Sequence, residues 1–458
     1  MEMQQYQALR FGAAGMRGIV GYGLTATKAI DYAAAFGTYL GERRVIVGMD
    51  SRVSSPMLKD AVISALTGTG CDVIDAGIIP CGMVHYAIAK LQLAGGLLIG
   101  GRHQSSGWNA IIPLDSDGAY FNSIRQRELM DIYNSGKYNF VGNDRLGRIE
   151  ILDPRIRESY WNDLEALINL RAIRKANFTI LADFANGSGA LVRETIAHRW
   201  NLNLIAINDD PSGFLPRDPE PRPRTGSPIR ALIMPVQAAA GLIFNSDMSR
   251  LEIVTDQGEP LSEEMTFPLL AAMSLTQNPS ASHVVGNITS SRTLDDVVHA
   301  HNGILEKTRV GQAYVIDLFR EMQYDLCGEG SGSFASSAWV KGFDAIFSMA
   351  VLLNYLAVSR KNLTQCVNTL NRYHIVKRAI PCTVIHAYAL LRDVRRLFSD
   401  AEINEVDGIR FDWPDGFLAV RLSATDHILR LISEAESRKV AEEREQICRS
   451  FIERWMML

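Results

Sequence analysis

Apolar positions in residues 25–40 recur at helical spacing, and Val45-Ile46-Val47-Gly48 then forms the short continuous apolar run of a buried strand. Ser55-Pro56 supplies a cap residue and a first-turn proline for a helix to Leu66, and 71–76 is strand-like again. The same βαβ rhythm returns as a strand at 178–182, the turn Asn186-Gly187-Ser188-Gly189, a helix through Ala197 and a strand at 204–207. A third copy begins near Leu251-Glu252-Ile253-Val254 and runs through a long helix to a strand at 283–286. Residues 211–228, rich in Pro and Arg, read as a surface excursion within the second copy. The last unit differs: Ile409-Arg410-Phe411, the turn Pro414-Asp415-Gly416 and Phe417-Leu418-Ala419-Val420-Arg421 make a hairpin pattern, and a charged helix over 433–456 closes the chain. The fold class is therefore α/β, with three successive α/β/α mixed-sheet domains and a smaller C-terminal α+β domain.

A chain of 458 residues divides into three or four units of roughly 100–150 residues each. Hydrophobic residues at 47% and charged residues at 21% place it among well-packed proteins and exclude general disorder. A net charge of −4, with Lys and Arg spread along the chain, excludes the broad basic footprint of a nucleic-acid binder. Small ligands or protein partners remain. Cys71, Cys81, Cys327, Cys366, Cys382 and Cys448 show neither CxxC nor metal spacing, the pattern of free thiols in a reduced cytoplasmic protein. No apolar run reaches the roughly 18 residues of a membrane span, so no membrane partner is expected.

Six segments, in order, resemble the signature loops of the α-D-phosphohexomutases, the superfamily of phosphomannomutases, phosphoglucomutases and phosphoglucosamine mutases. Phe11-Gly12-Ala13-Ala14-Gly15-Met16-Arg17-Gly18 is similar to its Phe-Gly-Thr-x-Gly-x-Arg-Gly, and Val47-Gly48-Met49-Asp50-Ser51-Arg52-Val53-Ser54-Ser55 to its Val-Gly-x-Asp-x-Arg-x-Ser-Ser. Residues 95–112 fall on the active-serine loop and the Asn-Gly-x-Lys after it, and 241–251 on the metal loop. Gly328-Glu329-Gly330-Ser331-Gly332-Ser333 falls on the sugar-recognition loop, and 421–430 on the phosphate loop. The resemblance implies four domains around a central cleft: 1–150 with the serine loop, 151–254 with the metal loop, 255–370 with the sugar loop and 371–458 with the phosphate loop. It also implies a phosphoserine beside magnesium that hands phosphate to a sugar phosphate. That chemistry needs a nucleophilic oxygen, a base, a cation and phosphate anchors.

The residues at those positions depart from the family pattern. In Gly100-Gly101-Arg102-His103-Gln104-Ser105, Arg102 stands where the family has its serine, and a guanidinium, always protonated and donor-only, does not carry phosphate. Its neighbour His103 falls on the family's histidine. Ile112 replaces the lysine base, and an alkyl group transfers no proton. The three metal-loop aspartates become Asn245, Asp247 and Ser249, leaving one carboxylate for a hard divalent cation. No catalytic or metal residue is assigned and no cofactor is expected. What the resemblance retains as ligand-binding residues is Arg17, Arg52, Glu329, Ser331, Arg421, Ser423 and Thr425, among them guanidinium and hydroxyl donors suited to phosphate.

The resemblance thus implies a cytoplasmic phosphohexomutase-like protein that binds a sugar phosphate, a related anion or a protein partner without exchanging phosphate. The alternative is an active phosphosugar mutase, or another reaction on phosphorylated sugars, using magnesium and a different nucleophile such as His103. The altered charges match one another. Arg102 is expected to take the space of phosphoserine and metal, about 2.7–3.2 Å from Asp247, with Asn245 or Ser249 accepting a further bond from it.

Overall fold

Thr25 accepts a hydrogen bond from the Lys28 amide, and the helix it caps, Ala26–Leu40, buries Ala29, Tyr32, Ala33 and Phe36. These side chains share a core with Val45, Val47, Leu97 and Ile111 of the first sheet. In this computed structural model residues 9–12, 15–102, 104–221, 223–330, 332–382, 384–423 and 428–457 are described. The first sheet runs in the order Arg10–Gly12, Gly15–Ile19, Trp108–Asp115, Gly95–Ile99, Arg44–Met49, Asp72–Ile78, Ile149–Ile151. Its centre is parallel and its Trp108–Asp115 side antiparallel. The central strands read as unbroken apolar runs because both of their faces are covered.

The second sheet, Leu251–Val254, Ala240–Phe244, Thr179–Asp183, Asn203–Ile207, and the third, Ile304–Thr308, His283–Asn287, Leu326–Glu329, Ser333–Ser336, each add one antiparallel edge strand to a parallel core. The fourth is antiparallel throughout, in the order His374–Pro381, Ile428–Ala435, Gly416–Leu422, Ile409–Trp413, Glu402–Asn404. The helix Arg438–Met456 packs on it through Cys448 and Ile452. The α/β class with a smaller C-terminal α+β unit is what the chain adopts.

Two expected elements differ. Leu251–Val254 does not open the third unit; the reversal at 245–250 brings it back antiparallel to Ala240–Phe244, closing the second sheet. Residues 433–435 are strand rather than helix, since they pair with 374–376 on one side and with 416–418 on the other, and the helix starts at Arg438.

The units are held by the helix Ala345–Ser359, which is apolar on nearly every face and is buried between them. Its cap is the buried Asp344. One oxygen accepts the amides of Ile346 and Phe347, and the other accepts the Tyr160 hydroxyl at 2.7 Å and the Trp339 indole N–H at 2.9 Å. Gly82 gives it room, because a Cβ there would lie 2.2 Å from the Asp344 carboxyl carbon. Asp344→Ala therefore leaves two helix amides, a phenol and an indole N–H without their acceptor. The expected loss is about 3 kcal/mol, measured by urea denaturation.

Candidate functional site

Strands Arg44–Met49 and Gly95–Ile99 end side by side, and their following loops are tied together by one ion pair. Arg52, 1% exposed, donates from Nε to Asp50 at 3.1 Å. Its Nη1 donates to the carbonyls of Ser105 (2.8 Å) and Trp108 (3.1 Å), and Nη2 to those of Arg102 (3.3 Å) and Gln104 (2.6 Å). All five guanidinium N–H groups are committed. Arg52 is thus a strut under the loop, not the ligand contact expected from the sequence. Gly101 must be glycine for the same reason, as a Cβ would lie 2.4 Å from the Arg52 guanidinium carbon.

The strut presents Arg102 inward, with φ of 50°, in the left-handed region. Arg102 is 6% exposed, and its guanidinium lies over the Tyr120 ring, 4.6 Å from the centroid. Burial works against its charge, but Tyr120 and Asp247 outweigh that and the group is held above its ordinary range. Its Nε is 3.9 Å from Asp247 Oδ2 and makes no hydrogen bond among the described residues, while Nη1 donates to Gln312 Oε1. The charge pair is therefore present but longer than a hydrogen bond, and the second acceptor is Gln312 rather than Asn245 or Ser249. Behind Tyr120, burial pushes the His85 imidazole down to about 4; its Nδ1 meets the Gly118 carbonyl.

Asn245 and Ser249 instead turn toward Asp247. Its Oδ1 accepts from Asn245 Nδ2 (2.8 Å), the Ser249 amide (3.0 Å) and the Ser249 hydroxyl (2.6 Å). With three donors on one oxygen and a guanidinium beside the other, this donor set does not fit a hard divalent cation, which needs several free oxygen ligands. The loop's backbone is also a hub. The Asp247 carbonyl accepts the Cys81 amide at 2.9 Å, the Met248 carbonyl the Ala345 amide at 2.8 Å, and Ser246 Oγ donates to Asp50 at 3.1 Å.

Ile112 is buried in the Trp108–Asp115 strand and, with Met49, Asp50, Cys81 and Asp247, lines a cavity of about 10 Å³, room for about one water. Arg17 is half-buried on Gly15–Ile19, across from Ala110. Glu329 is buried at the end of its strand; Oε1 accepts the Asn287 amide group at 3.1 Å and the Gly311 amide at 2.9 Å, and burial raises its carboxyl. Arg421, also buried, donates to Asp407 at 2.9 Å, and Asp407 accepts the Val310 amide at 3.1 Å. Ser423 is buried, its amide bonded to the Ile428 carbonyl. His103, Ser331 and Thr425 lie outside the described residues.

Segment 310–312 thereby connects three of the expected loops: Gln312 to Arg102 and Ser333, Gly311 to Glu329, Val310 to Asp407. Sequence reasoning missed Gln312, Asp407 and Tyr120, none of which sits in a motif. Replacing the strut, Arg52→Lys exchanges a five-donor fork for a compact ammonium and strands several carbonyls. A loss of about 3 kcal/mol in urea denaturation is expected, with faster amide exchange at 104–108.

Comparison with known proteins agrees with this architecture. The family description Phosphoglucomutase/phosphomannomutase, alpha/beta/alpha domain I matches residues 8–140, domain II residues 158–258 and domain III residues 262–373. A probable phosphoglucosamine mutase of Pyrococcus horikoshii is 30% identical over 439 residues, spanning 94% of this chain and 95% of its own. A phosphoglucomutase/phosphomannomutase of Thermococcus kodakarensis is 29% identical over 445 residues, spanning 94% and 96%. A solved phosphoglucomutase/phosphomannomutase family protein from Burkholderia thailandensis shares the fold with a TM-score of 0.86 at 23% identity, over 99% of this chain and 98% of that one. With its loops in family order, its domains in family sequence and near full-length relatives, the chain belongs to the α-D-phosphohexomutases, the family of phosphoglucomutases and phosphomannomutases.

Proposed function

We propose that the central cleft binds a sugar phosphate or related small anion and does not exchange phosphate with it. The observation that carries this reading is Arg102, a buried guanidinium at the serine's place in the motif, close to Asp247 and bonded to Gln312. A donor-only group at that point has no lone pair to attack phosphorus. Ile112, at the base's place, is packed among apolar neighbours and moves no proton. Arg17, Arg421, Ser423 and Glu329 are the described residues proposed to contact the ligand, with Ser331 and Thr425 beside them on the strength of the motifs. The serine, metal, sugar and phosphate loops are assigned to domains 1–150, 151–254, 255–370 and 371–458. No magnesium is required for ligand binding in this reading, since Asp247 already has its donors.

A second reading is favoured by the relatives' names: an active phosphosugar mutase that uses magnesium and a different nucleophile, such as His103. Two measurements separate the readings. Under the first, glucose, mannose or glucosamine phosphates raise the melting temperature, ligand at about a hundred times its dissociation constant adding roughly 2.7 kcal/mol. A coupled mutase assay with magnesium and a bisphosphate activator then shows no turnover. Turnover near 1 per second or above, lost on changing His103, would establish the second reading instead. Arg102→Ser is expected to cost about 3 kcal/mol by leaving Asp247 buried without its cation. It should restore no mutase activity, because the base and two metal-loop carboxylates are still missing.

A further inference from the structure

Beneath the sugar-recognition loop, the second, third and fourth sheets converge on buried carboxylates. Glu252, on Leu251–Val254, is fully buried, and neither of its oxygens has a hydrogen-bond partner among the described residues. The charged groups around it are Glu263, Glu264 and, from the fourth sheet, Lys377. Lys377 Nζ donates to Glu264 at 2.7 Å and Glu263 at 3.2 Å. Glu264 packs directly under the loop, since a Cβ on Gly330 would lie 2.6 Å from its carboxylate.

Glu434 is on the same sheet face as Lys377: Ile375 pairs with Glu434, Lys377 with Ile432, and side chains two apart share a face. It too is fully buried. Its Oε1 accepts the Arg292 amide at 2.7 Å, at the start of the helix Arg292–Ala300, and Oε2 has no hydrogen-bond partner among the described residues. The groups facing Glu434 are Arg292 and Ser291 from the third unit, Glu264, and Arg410 from the adjoining strand. Arg410 is already spent on Asp412 and the Ile288 carbonyl. Lys377 thus serves Glu263 and Glu264, while Glu252 and Glu434 retain oxygens with no hydrogen-bond partner among the described residues.

We infer that this junction is a proton-operated latch: Glu252 and Glu434 hold protons while the fourth unit is docked on the other two, and losing them releases it. Separation would rehydrate both carboxylates and part Asp407, the partner of Arg421, from the Val310 amide. Burial pushes the Glu434 carboxyl up to about 7, and burial with Glu263 and Glu264 nearby raises that of Glu252 well above the ordinary range. Burial opposes the Lys377 charge, but Glu264 and Glu263 outweigh it and raise that group. The docked state therefore binds a proton that the separated state, with Glu434 near its ordinary 4.5, has released. Docking is strongest in acid and weakens as pH rises from about 4.5 to about 7, by about tenfold per pH unit for Glu434 alone.

The latch does not rest on the proposed ligand reading, so it is tested without ligand. Small-angle X-ray scattering of the full chain at about pH 5.5 and about pH 8.5 brackets the window. The unmodified protein should have the larger radius of gyration at the higher pH, whereas Glu252→Gln with Glu434→Gln, which copies the protonated shapes, should stay compact at both. A radius unchanged with pH, or a double variant that expands like the parent, overturns the latch. Should that variant not fold, amide exchange in the unmodified protein decides the matter. After correction for intrinsic rates, protection at the Arg292 and Val310 amides should fall as pH rises, and constant protection would refute release.

Discussion

The candidate site is built on one buried ion pair, Asp50 with Arg52, whose side chains are 0% and 1% exposed. Two charges taken out of water are stable together only when their remaining donors and acceptors are also met. Here the Asp50 carboxylate accepts from Arg52, Ser55, the Gly101 amide and, across the unit boundary, Ser246. Arg52 spends its other four N–H groups on the carbonyls of the loop that carries Arg102. The pair therefore sets the shape of that loop and its distance from loop 245–250 in one stroke.

That geometry explains how a long, charged side chain is accommodated at position 102. The strut turns residue 102 inward, so a long side chain there is buried, and a buried guanidinium needs both an anion and acceptors. Asp247 provides the first at 3.9 Å, the Tyr120 ring covers one guanidinium face, and Gln312 accepts a bond. Asn245 and Ser249, short of charge for a cation, bind Asp247 instead and keep it aimed. Arg102, Tyr120, Gln312, Asn245, Asp247 and Ser249 thus form one self-consistent polar cluster.

A second cluster, formed by Glu252, Glu264, Lys377 and Glu434, differs in kind. The first cluster meets most of its charge at short range, whereas the second leaves buried carboxylate oxygens without a hydrogen-bond partner among the described residues, a cost that protonation relieves. Segment 310–312 ties the first cluster to the fourth unit, Gln312 accepting from Arg102 and the Val310 amide donating to Asp407, which in turn accepts from Arg421 on the fourth sheet.

Features that depend on neighbours in the chain were written in the sequence itself. The cap at Thr25, the proline of the helix Ser55–Gly68, the apolar strands and the turn at 414–416 follow from short-range preferences, and the order of the loops named the family. Pairing direction was not so written: Leu251–Val254 looks the same whether it closes one sheet or opens the next, and Ile428–Ala435 declares itself a strand only beside Gly416–Leu422. Nor were the partners of charged side chains. Gln312 lies 210 residues from Arg102, and the carbonyls that consume Arg52 lie 50 to 56 residues on, so whether an arginine meets a ligand or the backbone depended on how the units pack. Burial decided the rest, because a glutamate that is an ordinary surface acid in water has its carboxyl pushed up to about 7 at position 434, and only tertiary structure removes the water.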